Sequence, residues 1–307
     1  MKTAFIFPGQ GSQKVGMGRD LFEETEIGRS YFSIANDIME CDLTSIIFDG
    51  PDNRLKETRF TQPALFTVST ILGKLLMERD LIPDFVSGHS LGEFSALTIA
   101  NSFEFEIGLK LVKCRANAMY ESGISQPGTM AAIIGLSQEK VQSICDDISE
   151  RYGVVSPANF NAPGQIVISG MVKSVSSAME VAKISGAKLV IELNVSGAFH
   201  SIIMKPAREK LAEMLNSIEI KNADFPIFHN FSAKPTQDKE EIKTQLLNQL
   251  ENPVLWSRSI ENMILHGANS FIEVGPGKVL TGLNRKINKS IESKNVGTLS
   301  EVYSCLT

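Results

Sequence analysis

Thr3–Phe7 is an unbroken apolar run that stops at Pro8, the pattern of a buried first strand. Asp20–Met39 and Phe66–Arg79 carry apolar residues three and four apart, which predicts two amphipathic helices. Asp84–Ser87 is a second short apolar run, and Leu91–Ala100 and Ile107–Glu121 read as the helices that follow it. Strands alternating with helices in this way predict a parallel α/β sheet.

The middle of the chain changes rhythm. Thr129–Gly135 predicts a strand, Ser137–Tyr152 a helix, Val154–Phe160 and Gln165–Ser169 two strands around "NAPG", Val172–Ser185 a helix and Lys188–Val195 a strand. The order β-α-β-β-α-β is that of a ferredoxin-like unit. We therefore expect a large hydrolase-like α/β subdomain, 1–124 with 197–307, interrupted by a small ferredoxin-like (βαββαβ) subdomain at 125–196. Beyond it, Met204–Ser217, Gln245–Leu250 and Trp256–His266 predict helices, and Pro226–Asn230 and Ser270–Val274 predict strands.

Composition narrows the function. The 307 residues are 43% hydrophobic and carry a net charge of -5, which suits an enzyme-sized globular chain and argues against a nucleic-acid partner. No apolar run reaches the length of a membrane span, and the N-terminus runs into a Gly/Gln loop rather than a cleavage site. Cys41, Cys114, Cys145 and Cys305 are scattered without C-x-x-C spacing, so a cytoplasmic location with unpaired thiols is expected. Cys114 lies beside an arginine, yet inert packing is the better reading.

The chemistry concentrates at "FVSGHSLGEFSA", Phe85–Ala96. G-x-S-x-G at a strand-to-helix turn is a nucleophile elbow. Gly88 and Gly92 leave room for the sharp turn, which lifts the Ser90 hydroxyl out of the sheet. The Leu91 N–H then faces any oxyanion that forms beside it. Ser90 needs a base. His89 adjoins it on a turn and is expected to point away, while His229 and His266 suit structural roles. His200, in "NVSGAFHSIIM", lies where the chain returns from the inserted unit, and a junction between subdomains is a usual place for a cleft. His200 is therefore the candidate base. "FPGQGSQKVGMG" is not a phosphate loop. The third glycine of G-x-G-x-x-G falls on Lys14, and Met17-Gly18 replaces the Lys-Ser/Thr of a P-loop. Its Gln10 N–H could supply a second oxyanion donor.

"FPGQGSQ", "TQPAL", "GHSLGE", "GAFHS", "NPVLW" and "EVGPGKVLTGL" occur in this order over almost the whole chain. Together they resemble the malonyl-CoA:acyl carrier protein transacylases, both the stand-alone enzymes of fatty acid synthesis and the acyltransferases of polyketide synthases. The resemblance implies that Ser90 is acylated, that His200 is its base, and that Gln10 and Leu91 supply the oxyanion amides. It implies that Gln249 orients His200 through its backbone carbonyl, that Arg115 binds the malonyl carboxylate, and that His89 has a supporting role. Gln62 and Asn161 match pocket-lining positions, although loop capping is an equally open role for each. Phe199 matches a place where relatives that accept methylmalonyl carry a smaller residue.

The implied reaction passes malonyl from malonyl-CoA to the phosphopantetheine thiol of an acyl carrier protein through a Ser90 ester. It needs no metal and no cofactor beyond the arm carried by the partner, and a monomer is expected. "GAFH" and "RLKETRFTQPALF" look more like free-standing acyltransferases that serve polyketide synthases in trans, whereas "GQIVISG" and "GPGKVLTGL" are shared with housekeeping enzymes. The reading leans toward polyketide loading, with fatty acid synthesis as the other pathway. Two other functions compete. One is an acyl hydrolase of the same fold, expected to lack Arg115; the other is a non-catalytic carrier-protein docking module. Arg285, Lys286, Lys289 and Lys294 form a candidate basic dock for an acidic carrier, or simply a solvated face.

Overall fold

The computed structural model describes residues 2–195 and 197–305, and all statements of architecture refer to these. The chain runs β1 (Lys2–Phe7), α1 (Arg19–Glu24), α2 (Glu26–Met39), α3 (Leu43–Asp49), α4 (Asp52–Leu55), α5 (Thr58–Met77), β2 (Phe85–Gly88), α6 (Gly92–Ile99) and α7 (Phe105–Ser125). Next come β3 (Gly128–Ile134), α8 (Gln138–Tyr152), β4 (Val155–Ala162), β5 (Gln165–Met171), α9 (Val172–Ile184) and β6 (Leu189–Glu192). The remainder is α10 (Lys205–Ser217), β7 (Ile227–Phe228), β8 (Pro235–Thr236), α11 (Lys239–Gln249), α12 (Trp256–Leu265), β9 (Ala268–Val274), α13 (Val279–Ile287), β10 (Glu292–Val296) and α14 (Leu299–Ser304).

One sheet has the order β10-β9-β1-β2-β7-β8, parallel throughout except for the short β7–β8 pair. Its central strands are apolar on both faces because helices cover both, as the unbroken run Ala4–Phe7 requires. The second sheet, β4-β5-β3-β6, is antiparallel and carries α8 and α9, the strand order of a ferredoxin-like unit. The fold is thus the expected α/β class with a mixed rather than wholly parallel main sheet. Ser196, the expected upper boundary of the small unit, lies outside the described residues.

Several elements depart from their predicted lengths for local reasons. The helix predicted over 20–39 breaks at Thr25, which is extended and N-caps α2 by accepting from the Gly28 N–H. The helix predicted from Phe66 starts at Thr58 and carries Pro63 inside its second turn. Pro63 has no N–H to donate there, and the Thr67 hydroxyl covers its carbonyl at 2.9 Å. The helix predicted from Gln245 begins at Lys239, capped by Asp238, which accepts from the Glu240 and Glu241 amides. The strands predicted over 188–195 and 226–230 shorten to Leu189–Glu192 and Ile227–Phe228.

Register positions the site. Phe7 pairs with Gly88 across β1 and β2, so the loops leaving the carboxyl ends of these two strands lie side by side. One holds Gln10 and the other Ser90. The "NPVLW" segment bridges to the small sheet: Phe160 N–H donates to the Val254 carbonyl and Val254 N–H to the Ala158 carbonyl, both at 2.9 Å.

Candidate active site

Ser90 sits at φ 53, the left-handed region that a non-glycine residue enters only when its surroundings hold it there. The constraint is visible on both sides. A Cβ on Gly88 would lie 2.0 Å from Gly92 backbone atoms, and one on Gly92 would lie 2.0 Å from the Phe7 carbonyl oxygen. Asn230 straps the turn: its Oδ1 accepts from the Ser90 N–H, and its Nδ2 donates to the Gly88 carbonyl, each at 2.6 Å.

The Ser90 Oγ lies 2.8 Å from His200 Nε2, and His200 Nδ1 lies 2.8 Å from the Gln249 carbonyl oxygen. A carbonyl only accepts, so Nδ1 carries the proton and Nε2 offers a lone pair to the hydroxyl. No carboxylate is needed to fix this tautomer. His200 is buried, and burial pulls its pKa down to about 3, with the nearby Arg115 charge adding to the drop; the Gln249 bond works the other way. At neutral pH the ring is an uncharged base.

Arg115, on α7, is 1% exposed. Its Nη1 donates to Gln62 Oε1 at 2.6 Å, and its Nη2 donates to Ser90 Oγ and to Gln249 Oε1, each at 2.9 Å. Burial lowers its pKa to about 10 while Glu93 opposes the shift, so the guanidinium remains a cation. The fork therefore stands beside the nucleophile, oriented by two amide oxygens.

Gln10, Gln62, His89, Leu91, Phe199 and His200 line one cavity with Ser90 and Arg115; it encloses about 100 Å³. Neither the Gln10 nor the Leu91 N–H has an acceptor among the described residues, so both remain able to bind an oxyanion. The Thr58 hydroxyl holds the Gln10 side chain by its Oε1 at 3.0 Å. One site residue stands differently from the pocket-lining position that the resemblance implies. Asn161 meets His89 rather than the cavity, its Oδ1 2.8 Å from His89 Nε2. The asparagine on the cavity wall is Asn159, two residues earlier on β4, whose pairing with β5 slips between Phe160 and Ala162. His89 itself is buried, which lowers its pKa, and packs 5.5 Å from Trp256.

Sequence reasoning missed a polar layer beneath the elbow. Glu93, fully buried on α6, accepts from His229, Asn230 and Gln249. The signal was the glutamate of "GHSLGE", a charge on a helix whose other faces are apolar. Met119, Met130, Leu193 and Val195 complete the cavity's apolar wall. The four cysteines are unpaired, and burial pushes the Cys114 thiol up, away from the reactive range. Arg285 and Lys286 end α13, Lys289 follows it and Lys294 lies on β10; Lys286 Nζ donates to Gln165 Oε1 at 2.9 Å. No helix among the described residues is long and apolar enough to cross a membrane.

Fold and site together define an α/β enzyme of acyl groups. Residues 4–301 match the acyl transferase domain family, and the chain belongs to it. It is 44% identical over 292 residues to the malonyl CoA-acyl carrier protein transacylase of Bacillus subtilis (strain 168), covering 95% of this chain and 92% of that one. It is 42% identical to the Staphylococcus aureus (strain COL) enzyme of the same name, covering 98% and 97%. Among solved structures, the acyl-carrier-protein-S-malonyltransferase of Bartonella henselae superposes with a TM-score of 0.96 at 40% identity, over 100% of this chain and 98% of that one. A malonyl-transacylase in complex with its type II PKS acyl-carrier protein superposes with a TM-score of 0.96 at 37% identity, over 100% and 99%.

Proposed function

We propose that the protein transfers malonyl from malonyl-CoA to the phosphopantetheine thiol of an acyl carrier protein, through an ester on Ser90. The observation that carries this reading is the double contact of Ser90 Oγ, to the base His200 and to the cation Arg115. A hydrolase needs the base; a transferase of a carboxylated acyl group also needs a cation beside the nucleophile to receive that carboxylate. The names of its relatives support the same donor and acceptor.

Malonyl-CoA enters with its carboxylate on the Arg115 fork and its thioester carbonyl beside Ser90. His200 Nε2 takes the Ser90 proton as Oγ attacks the carbonyl carbon. The Gln10 and Leu91 amides hold the oxyanion. The C–S bond breaks, and the coenzyme A sulfur leaves with the proton from His200. In the second half the carrier thiol gives its proton to His200 and attacks the ester, and Ser90 Oγ recovers that proton as malonyl departs. Every group in this scheme is a protein side chain or amide, so loading is expected to withstand chelators. In the same reading, 1–124 with 197–307 supply the nucleophile, base and guanidinium, and 125–196 supplies one wall of the cleft.

For the pathway, the polyketide reading rests on "GAFH" and "RLKETRFTQPALF" and is compatible with one neighbour solved with a type II PKS carrier; fatty acid carriers are the other acceptors. Intact-mass spectrometry after mixing with malonyl-CoA tests the chemistry. The expected result is a malonyl adduct on Ser90 that moves to added holo-carrier protein and is absent from Ser90→Ala. An adduct lost to water at the same rate with or without carrier supports the hydrolase, no adduct supports the docking module, and an adduct persisting in Ser90→Ala removes the assignment. A panel of fatty acid and polyketide carriers then reads the preferred partner.

A further inference from the structure

The Gln249 carboxamide is used completely. Its Nε2 donates to the Ser90 carbonyl at 2.9 Å and to Glu93 Oε2 at 2.8 Å, and its Oε1 accepts from Arg115 Nη2 at 2.9 Å. Glu93 is fully buried and meets donors only. His229 Nδ1 lies 2.5 Å from Oε1, and the Asn230 N–H lies 3.1 Å from Oε2. That is the setting of a carboxylate, which accepts from every side.

The consequence falls on the amide's direction. Turned by half a rotation, Gln249 would aim its NH₂ at the Arg115 guanidinium and its oxygen at the Glu93 carboxylate. Donor would face donor and acceptor would face acceptor, inside a core where unpaired polar groups are costly. A Gln side chain alone is indifferent between the two directions; the carboxylate is not. Resting on the function proposed above, we propose that Glu93 is a positioning residue for carboxylate recognition: through the Gln249 side chain it fixes the guanidinium of Arg115 in the attitude that receives the acyl carboxylate. Glu93 touches neither Ser90 Oγ nor the cavity. It acts on the nucleophile's neighbour through one intermediary, and that intermediary also gives its backbone carbonyl to His200. His200 and His89 are the other titratable rings near the guanidinium, and both are held neutral by burial, which leaves Glu93 as its buried counter-charge.

The alternative is that Glu93 only ties α6 to the segments carrying His229 and Gln249. Such a tie would affect all acyl donors alike. The test is kcat/KM for malonyl-CoA and acetyl-CoA on wild type, Glu93→Gln, Glu93→Asp, Gln249→Met and the Glu93→Gln/Gln249→Met double variant. Glu93→Gln is expected to lower the malonyl/acetyl ratio about tenfold, the scale of one hydrogen bond to a charged group. Glu93→Asp, which keeps the charge, is expected to recover part of it. Gln249→Met keeps the backbone carbonyl and cuts the link, so it should lose the ratio as well. The double variant should be no worse than Gln249→Met, because both changes break one chain of contacts. An unchanged ratio in Glu93→Gln, or additive losses in the double variant, overturns the proposal. If Glu93→Gln does not fold, an unchanged ratio in Gln249→Met overturns it instead.

A crystal structure of substrate-free Glu93→Gln, or of Gln249→Met if the former does not fold, separates this inference from the proposed function. The expected result is an Arg115 guanidinium displaced from Ser90 Oγ; an undisturbed guanidinium overturns the inference. Wild type that takes up no malonyl overturns the proposed function, and the crystal structure still decides what Glu93 does.

Discussion

Arg115 Nη2 donates to Ser90 Oγ at 2.9 Å, so the guanidinium and the hydroxyl it neighbours share a hydrogen bond. Donation to Oγ engages one of its two lone pairs and draws electron density from the nucleophile. A carboxylate that takes over this donor frees the lone pair while His200 still accepts the hydroxyl proton. Recognition of the acyl carboxylate and activation of the nucleophile thus meet at one nitrogen.

Removing that nitrogen separates donors with and without a carboxylate. Arg115→Ala is expected to lower kcat/KM for malonyl-CoA by about 10²-fold or more, the range for truncating one partner of a buried charge pair. Acetyl loading is expected to stay level or rise, because Oγ loses a competing donor. Arg115→Lys should not restore malonyl loading, since an ammonium cannot reproduce the fork. Equal losses for both donors would make the arginine structural and return weight to the hydrolase reading.

His200 sets the pH profile of acylation. Its pKa, drawn down to about 3 by burial and then by Arg115, leaves the base uncharged across the working range. Acylation kcat/KM is expected to hold level from about pH 8 to pH 5, where an unperturbed histidine near 6.5 would lose most of its activity. His200→Ala should slow acylation about 10²–10⁴-fold. An acid limb centred near the ordinary histidine value would show that the ring is not held neutral as the geometry requires.

The same group makes stability depend on pH. Below the ordinary histidine value the unfolded chain binds a proton at His200 that the folded chain refuses until pH nears 3, so stability falls as pH drops through that window. His89, lowered by burial, adds in the same direction. Urea midpoints at pH 7.5 and pH 5 read the effect. Wild type should lose more over this interval than His200→Gln, and equal losses would place the acid sensitivity elsewhere.

What was legible in the sequence follows from range. The elbow was readable because its cause is local: Gly88, Ser90 and Gly92 meet each other or the adjacent strand within one turn. The β-α-β-β-α-β order was readable because alternation and helical spacing are short-range signals. Thr58–Leu65 was not read as helix; Pro63 is a local breaker, and its burial in the core overrides that propensity. The Glu93 layer was invisible for a different reason. Its partners, His229, Asn230 and Gln249, lie 136 or more positions away along the chain. No spacing rule connects them until the parallel β2–β7 pair brings Ser87 beside Phe228. Asn159 was not singled out for a similar reason, since only the tertiary fold decides which residue of β4 reaches the cavity.

Two glycines distinguish a packed turn from a tolerant helix. A Cβ on Gly92 would meet the Phe7 carbonyl oxygen at 2.0 Å, and strand β1 cannot yield without disturbing the sheet. Gly92→Ala is expected to cost about 4 kcal/mol or more, among the largest single-residue effects. Gly282, inside α13, has open space for 4 Å around the place a Cβ would take, so Gly282→Ala should stabilise by about 0.4–1 kcal/mol through loss of unfolded-state freedom. Thermal melts of the two variants check both signs, and a Gly92→Ala protein as stable as wild type would show that the elbow relaxes.

Selectivity at the α-carbon rests on Phe199. The ring is buried, lines the cavity and directly precedes His200, which stands at φ 59. It packs over Gly197 closely enough that a Cβ there would lie 2.9 Å from Phe199 Cε1, so the glycine leaves the room the ring occupies. A malonyl group held by its carboxylate on Arg115 and its carbonyl at Ser90 is fixed at both ends, and its α-carbon must pass the cavity wall between them. A methyl added there has to displace the ring or lift one end of the acyl group. One methyl in a tight pocket changes discrimination by about 1–3 kcal/mol, or roughly 10–200-fold. Malonyl-CoA is therefore expected to be preferred over methylmalonyl-CoA by a factor in this range. Phe199→Ser, which opens the wall, is expected to narrow the gap chiefly by raising methylmalonyl kcat/KM. Because removing a buried ring also destabilises, rates are to be normalised to the folded fraction from a thermal melt. A gap that stays unchanged in folded Phe199→Ser would move the selectivity filter to another wall residue, with Met130 the first to substitute.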